Sequence, residues 1–420
     1  MEVHTGHLTT RSLLNLTLPG AHNAGNTLLL NQNRMYQPGS QWDDFKDYIA
    51  ATRGADSVSK VTEGRFHSAN LRWNVNHHEG FKEQLKGGIR YFHLKLCHLG
   101  SQSQTQPDVS ADAEEGEVRE GQMESARRRR VEGSEDRESE EQPDAEKKQT
   151  GGTNSWYGTL DTSQIYHCHR GYTGMSLVDM FDILGEFLLS HPKEAVVLGF
   201  NDLSGFDASQ EENLAKFISQ RFYEILVRDW SRMTRTSLHV LYQTDERLGV
   251  FYGPQLETYP HGIIPSSGHL QESWDKDIGS SGDLEAYSEW VAEDLGKYAS
   301  QHSHFYVTQN NPNNNVNATF DAVYDRITGE TTYHKSARSE EADDQNANST
   351  LIGFSYVNPN SGLPYASLYE WEYEYMRNLP TFMFRELSQH DHIMVNAIST
   401  DFMHAARTVE LCLYLMRIHS

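Results

Sequence analysis

The chain has 420 residues, which is enough for one large barrel with insertions or for two medium domains. Its formal net charge of −23 at pH 7 disfavours nucleic acid as a partner, because phosphate binding requires a basic surface. The same charge disfavours adhesion to anionic membranes by electrostatics alone.

The cysteines and the N-terminus predict where the protein resides. Cys97, Cys168 and Cys412 are odd in number and widely spaced, so we expect buried thiols in a reducing compartment rather than a disulfide framework. The first stretch, "MEVHTGHLTTRSLLNLTLPG", lacks the long apolar core of a signal peptide, and no run of the chain suits a transmembrane helix. We therefore expect a cytoplasmic monomer that contacts membranes only at their surface.

Strands and helices alternate in the first part of the chain. Residues 13–19 are predicted to form a strand, and "SQWDDFKDYIAAT" a helix. The segment "EGFKEQLKGG" predicts a short helix that ends at its glycine pair. It leads into "IRYFHLKLCHL", a predicted strand in which large apolar residues alternate with Arg90, His93 and Lys95.

The composition then changes abruptly. Residues 100–154 contain almost no large apolar side chains, so they are predicted to form a disordered acidic insert. The run "RRRR" at 127–130 is interpreted as solvated charge rather than as a targeting or partner signal.

Alternation resumes after the insert. The predicted strands are "SQIYHCHRGYTG", "EAVVLGFND", "RLGVFYG", "HFYVTQ" and "HIMVNAIST". The predicted helices are "MSLVDMFDILGEFLLSHP", "ENLAKFISQRFYEIL", "DLEAYSEWVAEDLGKYA" and "YEWEYEYMRNLPTFMFREL". Residues 309–319 and 331–350 are predicted low-complexity surface loops. The alternation implies an α/β fold with a parallel sheet, and the lack of a fixed-period repeat favours one domain over 1–420.

The first four predicted strands all end in polar residues. In a closed parallel β/α barrel the carboxyl ends of the strands meet at one mouth, where active sites are built. Two histidines there can divide acid–base work, and a lysine can stabilise negative charge on a phosphate. The strand-end residues are, in chain order, His22 and Asn23, His93 and Lys95, His169, and Asn201 with Asp202.

A metal site is a less favoured interpretation of the same residues. His167 and His169 form an H-x-H pair that faces one side of its strand, which is half of a zinc site. However, Lys95 is unfavourable beside a metal, and no nearby acidic pair completes the set of ligands. We expect no bound metal.

Several motifs carry a family resemblance. The segments "LPGAHNAGN", "FKEQLKGGIRYFHLKL", "YHCHRGYTGMSLVDMFDILGEFLLSHPKEAVVLGF" and "NAISTDF" occur in this order. Together they resemble the phosphatidylinositol-specific phospholipase C X-domain-containing proteins. The resemblance implies a distorted TIM-type β/α barrel that cleaves the glycerol–phosphate bond of an inositol phospholipid.

The resemblance also implies roles for individual residues. His22 matches the general base that takes the proton from the inositol 2-hydroxyl, and His169 matches the general acid that protonates the diacylglycerol oxygen. The product is then a cyclic inositol phosphate, and no enzyme nucleophile is needed. Lys95 occupies the position of an arginine in bacterial members, so it completes the catalytic set.

At several positions the chain differs from the family in residues that bind calcium or form charged pairs. Asn23 stands where bacterial members have aspartate, and His93 stands where acidic members have aspartate. Calcium-dependent members place acidic ligands at the positions of His93, Lys95 and Asn201. Because calcium requires oxygen-rich ligands, the chain is expected to act without calcium or another cofactor.

Two further positions are assigned a binding or orienting role beside Asn23, His93 and Asn201. Asp401, in "ISTDF", matches a recurrent acidic position, and it either orients His22 through the second ring nitrogen or caps a helix. For Arg170 the alternatives are a surface ion pair and a substrate contact.

Two other functions compete with a lipid-cleaving enzyme. The changes at Asn23, His93 and Lys95 and the acidic insert fit a catalytically silent barrel that binds a phosphoinositide or a protein. The "HRG" of "CHRGYTG" also occurs in glycerophosphodiester phosphodiesterases. That family requires acidic metal ligands, so sensitivity to a chelator separates the two enzymes.

Overall fold

A computed structural model describes most of the barrel and part of its surroundings. The described residues are 9–27, 40–100, 160–170, 172–273, 289–295, 303–310, 316–329, 395–402 and 407–418, with five isolated positions between 367 and 385. They all belong to one compact unit. The predicted insert from 101 onward and the loop over 331–350 lie outside the described residues.

Ten strands and ten helices have defined bounds. The strands are β1 (Leu18–Ala21), β2 (Tyr91–His98), β3 (Ile165–His169), β4 (Tyr172–Ser176), β5 (Val196–Ser204), β6 (Leu248–Tyr252), β7 (Ile263–Pro265), β8 (Leu270–Ser273), β9 (Phe305–Gln309) and β10 (Ala397–Thr400). The helices are α1 (Ser40–Arg53), α2 (Ala55–Val58), α3 (Glu63–Arg72), α4 (Phe81–Gly87), α5 (Leu177–Ser190), α6 (Ala208–Arg221), α7 (Trp230–Arg235), α8 (Leu238–Gln243), α9 (Val316–Thr328) and α10 (Thr408–Ile418).

Eight of the strands form a nearly closed parallel barrel. Their order is β7-β6-β5-β2-β1-β10-β9-β8, so the first and last of the described strands are neighbours. The two strands at the ends of this path, β7 and β8, are consecutive in sequence. The predicted α/β barrel is therefore confirmed.

The strand that carries His169 is not a barrel strand, which corrects the prediction of four consecutive parallel strands. It is β3, and it forms an antiparallel hairpin with β4 beside the second half of β2. The reason is the short β1, which pairs with β2 only at Tyr91 and Phe92. Beyond that point the edge of β2 from Leu96 to His98 is left for β3 to pair with.

Alternation along the strands separates two apolar layers. On β2, Phe92 and Leu94 belong to the core cluster that packs under α4 and α5. Tyr91 belongs instead to a cluster inside the barrel, where it meets Phe305 of β9 with ring centroids 5.9 Å apart. His93 and Lys95 follow Tyr91 on the inward face of β2, because side chains two residues apart share a face. The apolar floor of the barrel thus lies below its polar mouth.

Helix ends follow signals in the sequence. Helix α4 ends at Gly87, and the next residue, Gly88, caps it with a φ of 105°, in the left-handed region that favours glycine. Helix α6 begins at Ala208, four residues before the predicted start, because Asp207 and Gln210 form a capping box.

Other predicted bounds were wrong. Residues Leu13–Asn15 form a 3-10 helix, and the first strand begins only at Leu18. The loop predicted over 309–319 includes the last residue of β9 and the start of α9 at Val316. Of the predicted helix "YEWEYEYMRNLPTFMFREL", the structure describes only positions 373, 381, 383 and 385, each of them helical. The start and end of "DLEAYSEWVAEDLGKYA" lie outside the described residues.

The prediction of separate thiols was wrong for two of the three cysteines. Cys97 on β2 and Cys168 on β3 form a disulfide, with their Cα atoms 5.8 Å apart. Antiparallel pairing of β2 with β3 brings together two residues that are 71 positions apart in sequence. Cys412 is a buried free thiol. In the described part of the chain, no helix has the length and apolar character needed to cross a bilayer.

The disulfide predicts the number of reactive thiols. Under denaturing, non-reducing conditions, alkylation followed by mass spectrometry should modify Cys412 alone, and Cys97 and Cys168 should react only after reduction. A Cys97→Ser, Cys168→Ser double variant should lose about 3 kcal/mol of unfolding free energy. Without the disulfide, the unfolded chain is no longer closed into a long loop, so it has more conformational entropy. Three reactive thiols without reductant would contradict the pairing.

Candidate active site

The pairing of the first and last strands places His22 beside Asp401. The register pairs Leu18 with Ala397 and Ala21 with Thr400. The next residue of each segment, His22 or Asp401, therefore also lies opposite the other. His22 Nδ1 lies 2.9 Å from Asp401 Oδ1. Both residues are buried, with side chains 6% and 2% exposed. Of the two roles considered for Asp401, the contact with His22 is therefore present.

His169 reaches the same mouth from the end of the hairpin. Its ring centroid is 6.3 Å from that of His22, and the two rings are nearly perpendicular, at 79°. His169 Nδ1 lies 3.1 Å from the carbonyl oxygen of Asn74. A carbonyl accepts only, so Nδ1 carries a proton, and Nε2 is the nitrogen available to a substrate.

Sharp turns follow three of the site residues. Asn23, Arg170 and Phe402 have φ values of 49°, 46° and 43°, in the left-handed region. They come directly after His22, His169 and Asp401, so the chain leaves the mouth immediately after each of these residues. Arg170 and Phe402 are residue types that seldom adopt this conformation, and such backbone is often found at functional sites.

Predicted residues of β2 and β5 also lie at the mouth. His93 stacks on His22, with ring centroids 5.1 Å apart. Lys95 pairs in register with Asp202, and a β-bulge between Leu94 and Lys95 leaves Asn201 as the extra residue of β5. A bulge re-aims a side chain, which here lets Asn201 reach β8.

Asn23 is fully buried beside the first histidine. Its Nδ2 lies 3.4 Å from His22 Nδ1. Arg170 is half-buried, and its carbonyl accepts a hydrogen bond from the Gln41 amide of α1. Whether Asn23, His93, Asn201 or Arg170 contacts a substrate stays a prediction.

Glu272 is a site residue that the sequence analysis missed. Its Oε1 accepts hydrogen bonds from the Tyr91 hydroxyl at 2.6 Å and from Gln309 Nε2 at 3.0 Å. Its Oε2 accepts from Asn201 Nδ2 and lies 3.9 Å from His93 Nε2. Glu272 lies on β8, whose sequence "LQES" has no apolar alternation, so no strand was predicted there.

A set of buried amides was missed as well. Asn76 Nδ2 donates to Asp401 Oδ2 at 2.8 Å, and Asn76 Oδ1 accepts from Asn26 Nδ2 at 2.9 Å. Asn26 and Asn76 are each 1% exposed. The only signal was the polar spacing in "WNVNHH", which indicates neither a helix nor a strand.

The small residues after His22 serve packing of the hairpin. A Cβ added at Gly25 would lie 2.6 Å from Cβ of His167 on β3. The Gly25 carbonyl also accepts a hydrogen bond from Met175 of β4 at 3.1 Å. The turn and the hairpin are therefore in direct contact.

The environment of the site disfavours protonated histidines. Burial lowers the pKa of His22 well below its usual range, and the charge of Lys95 lowers it further. Burial, Arg170 and Lys95 likewise lower the pKa of His169. The pKa of His93 is lowered well below its usual range by burial and by His22. All three imidazoles are therefore neutral at pH 7 when no anion is bound.

The pKa values of two charged neighbours of the histidines, Asp401 and Lys95, are shifted too. Burial raises the pKa of Asp401 to about 7, against the opposing effect of His77 and of the hydrogen bond from Asn76. Burial lowers the pKa of Lys95, whereas Asp202 opposes that change. When Asp401 is ionised, it accepts from Nδ1–H of His22, which leaves the lone pair on Nε2.

Among the described residues, no further ligands complete the metal site considered for His167 and His169. His167 is fully buried, and burial together with Lys95 lowers its pKa to about 3. The described residues contain no group of three histidine, cysteine, aspartate or glutamate side chains arranged to hold a metal ion. The absence of a metal stays a prediction.

Comparisons with known proteins find similarity only among solved structures. No family model and no curated protein matches the chain. The phosphatidylinositol-specific phospholipase C from Listeria monocytogenes is 8% identical, over 97% of this chain and 95% of that one, with a TM-score of 0.49. A structure of the Staphylococcus aureus phosphatidylinositol-specific phospholipase C is 10% identical, over 96% and 94%, with a TM-score of 0.43. Its F249X mutant is 9% identical over the same shares, with a TM-score of 0.44. Because the identities are this low, function has to be argued from the chain's own residues.

Proposed function

We propose that this chain cleaves the glycerol–phosphate bond of phosphatidylinositol or a related lipid by general acid–base catalysis with His22 and His169. One observation carries the proposal: the carboxylate-held imidazole of His22 and the perpendicular imidazole of His169 lie 6.3 Å apart at one barrel mouth. Two imidazoles at this separation can address two oxygens of one phosphate group.

His22 is the proposed base. Its hydrogen bond to Asp401 holds the tautomer in which Nε2 accepts a proton, and the carboxylate stabilises the imidazolium that forms. The proton comes from a hydroxyl of the substrate's own inositol, which attacks the phosphorus. Holding that hydroxyl in line with the phosphorus supplies much of the rate. The product is a cyclic phosphodiester.

His169 is the proposed acid. Its Nδ1 is held by the Asn74 carbonyl, so Nε2–H of the protonated ring is the donor to the leaving glycerol oxygen. Burial and the cations Arg170 and Lys95 lower the pKa of His169. A bound phosphodiester adds a negative charge that offsets these cations, so the substrate itself raises the pKa of its acid.

Lys95 is the proposed stabiliser of negative charge on the phosphate. It extends from the inward face of β2, and it is near enough to lower the pKa of both His22 and His169. A lysine acts there as a point charge, without the two-point hydrogen bonding of an arginine. We further propose that the enzyme works without a metal, as a cytoplasmic monomer at membrane surfaces.

Replacing either histidine tests the proposal. With phosphatidylinositol dispersed in excess chelator, wild type should release a water-soluble inositol phosphate. The His22→Ala and His169→Ala variants should each be slower by about 10³-fold, because each loses one partner in proton transfer. The control is His239→Ala, which changes an exposed histidine of α8.

The outcomes separate the competing functions. Equal rates in His22→Ala, His169→Ala and wild type would contradict the proposal. Turnover that appears only when a divalent cation is restored would indicate a metal-dependent phosphodiesterase. A folded wild type without turnover under either condition would indicate a binding protein.

The charge of Arg170 predicts a shift of the pH profile. This cation lowers the pKa of both His22 and His169, after the larger effect of burial, so its removal raises both values. The normalised profile of kcat/KM in Arg170→Gln should therefore move to higher pH. Arg221→Gln, on the surface of α6, is the control and should leave the profile in place. An unchanged profile in Arg170→Gln would show that its charge does not act on the histidines.

A further inference from the structure

Asn26 contacts the groups that hold both histidines. On one side its Nδ2 donates to Asn76 Oδ1 at 2.9 Å, and Asn76 Nδ2 donates to Asp401 Oδ2 at 2.8 Å. The other oxygen of that carboxylate holds His22. The two amides therefore connect Asn26 to the proposed base.

The same amide nitrogen reaches the proposed acid. Asn26 Nδ2 donates to the Asn74 carbonyl, the oxygen that also holds His169 Nδ1. The ring nitrogen itself lies 3.4 Å from Asn26 Nδ2. A continuous series of contacts thus runs through His22, Asp401, Asn76, Asn26, the Asn74 carbonyl and His169.

Position 26 suits an amide in particular. An amide nitrogen carries two hydrogens, and two oxygens, from Asn74 and Asn76, face it. The residue is 1% exposed, and its own backbone N–H bonds to the Asn23 carbonyl at 2.9 Å. The turn that carries His22 therefore also fixes Asn26. Because the site is buried, a lost hydrogen bond is not replaced cheaply by solvent.

We propose that Asn26 and Asn76 are positioning residues that set the orientations of His22 and His169 together. The proposal deepens the phosphodiesterase function and rests on it. Neither amide touches the reacting atoms. Without Asn26, the Asn76 side chain and the Asn74 carbonyl each lose a hydrogen bond. The imidazoles of His22 and His169 then both lose their alignment. Misplacement by about 1 Å costs on the order of 10²-fold in rate.

The kinetic test compares two buried asparagines. Asn26→Ala should lower kcat about 100-fold and leave KM within about threefold, because alignment matters most in the transition state. The control is Asn396→Ala. Asn396 is 3% exposed, bonds to Tyr306 N at 2.7 Å and to the Leu14 carbonyl, and lies just before β10, at the opposite end of the barrel. The Asn396→Ala variant should have a lower free energy of unfolding but an unchanged kcat.

A spectroscopic test does not depend on turnover. In ¹⁵N NMR spectra, the assigned ring nitrogens of both His22 and His169 should shift in Asn26→Ala, and neither should shift in Asn396→Ala. If wild type proves inactive, the phosphodiesterase function fails while this test still decides the coupling. A shift of the ring nitrogens of one histidine alone, or of neither histidine, would overturn the proposal. An unchanged kcat of Asn26→Ala in an active enzyme would overturn it as well. Should Asn26→Ala not fold, Asn26→Ser keeps one donor and is judged by the same measurements.

Discussion

The parallel register between β1 and β10 is the constraint on which the site depends. It joins residues 379 positions apart and brings His22 opposite Asp401 at the point where both strands end. A shift of one residue in either strand would turn the side chains of that strand to the other face of the sheet and would separate His22 from Asp401. The pairing of these two strands thus both helps to close the barrel and assembles the proposed base.

The hairpin is the second requirement. Because β1 is short, the edge of β2 remains open for β3, and β3 brings His169 over the mouth. The disulfide between Cys97 and Cys168 connects β2 to β3 next to Lys95 and His169. Gly25 allows close contact between the hairpin and the turn after His22. The proposed acid therefore comes from an element outside the barrel, held to it covalently and by packing.

The sequence predicted those parts of the site that follow apolar strands. His22 and Lys95 were found because apolar runs marked their strands, whereas Asp401 was assigned through the family resemblance. Glu272 was missed because β8 lacks such a run, and its role depends on pairing with β9. The amides at 26 and 76 belong to turns, where periodicity carries no information. The disulfide depends on antiparallel pairing across 71 residues, which spacing alone does not reveal.

A buried site with neutral histidines requires its substrate to supply charge, and this links the electrostatics to the chemistry. The proposed reaction begins with attack by the substrate's own hydroxyl, so the identity of the first product tests it. In ³¹P NMR of the reaction with phosphatidylinositol, we expect the resonance of a five-membered cyclic phosphodiester to appear first. A phosphomonoester formed from the start, without the cyclic species, would contradict it.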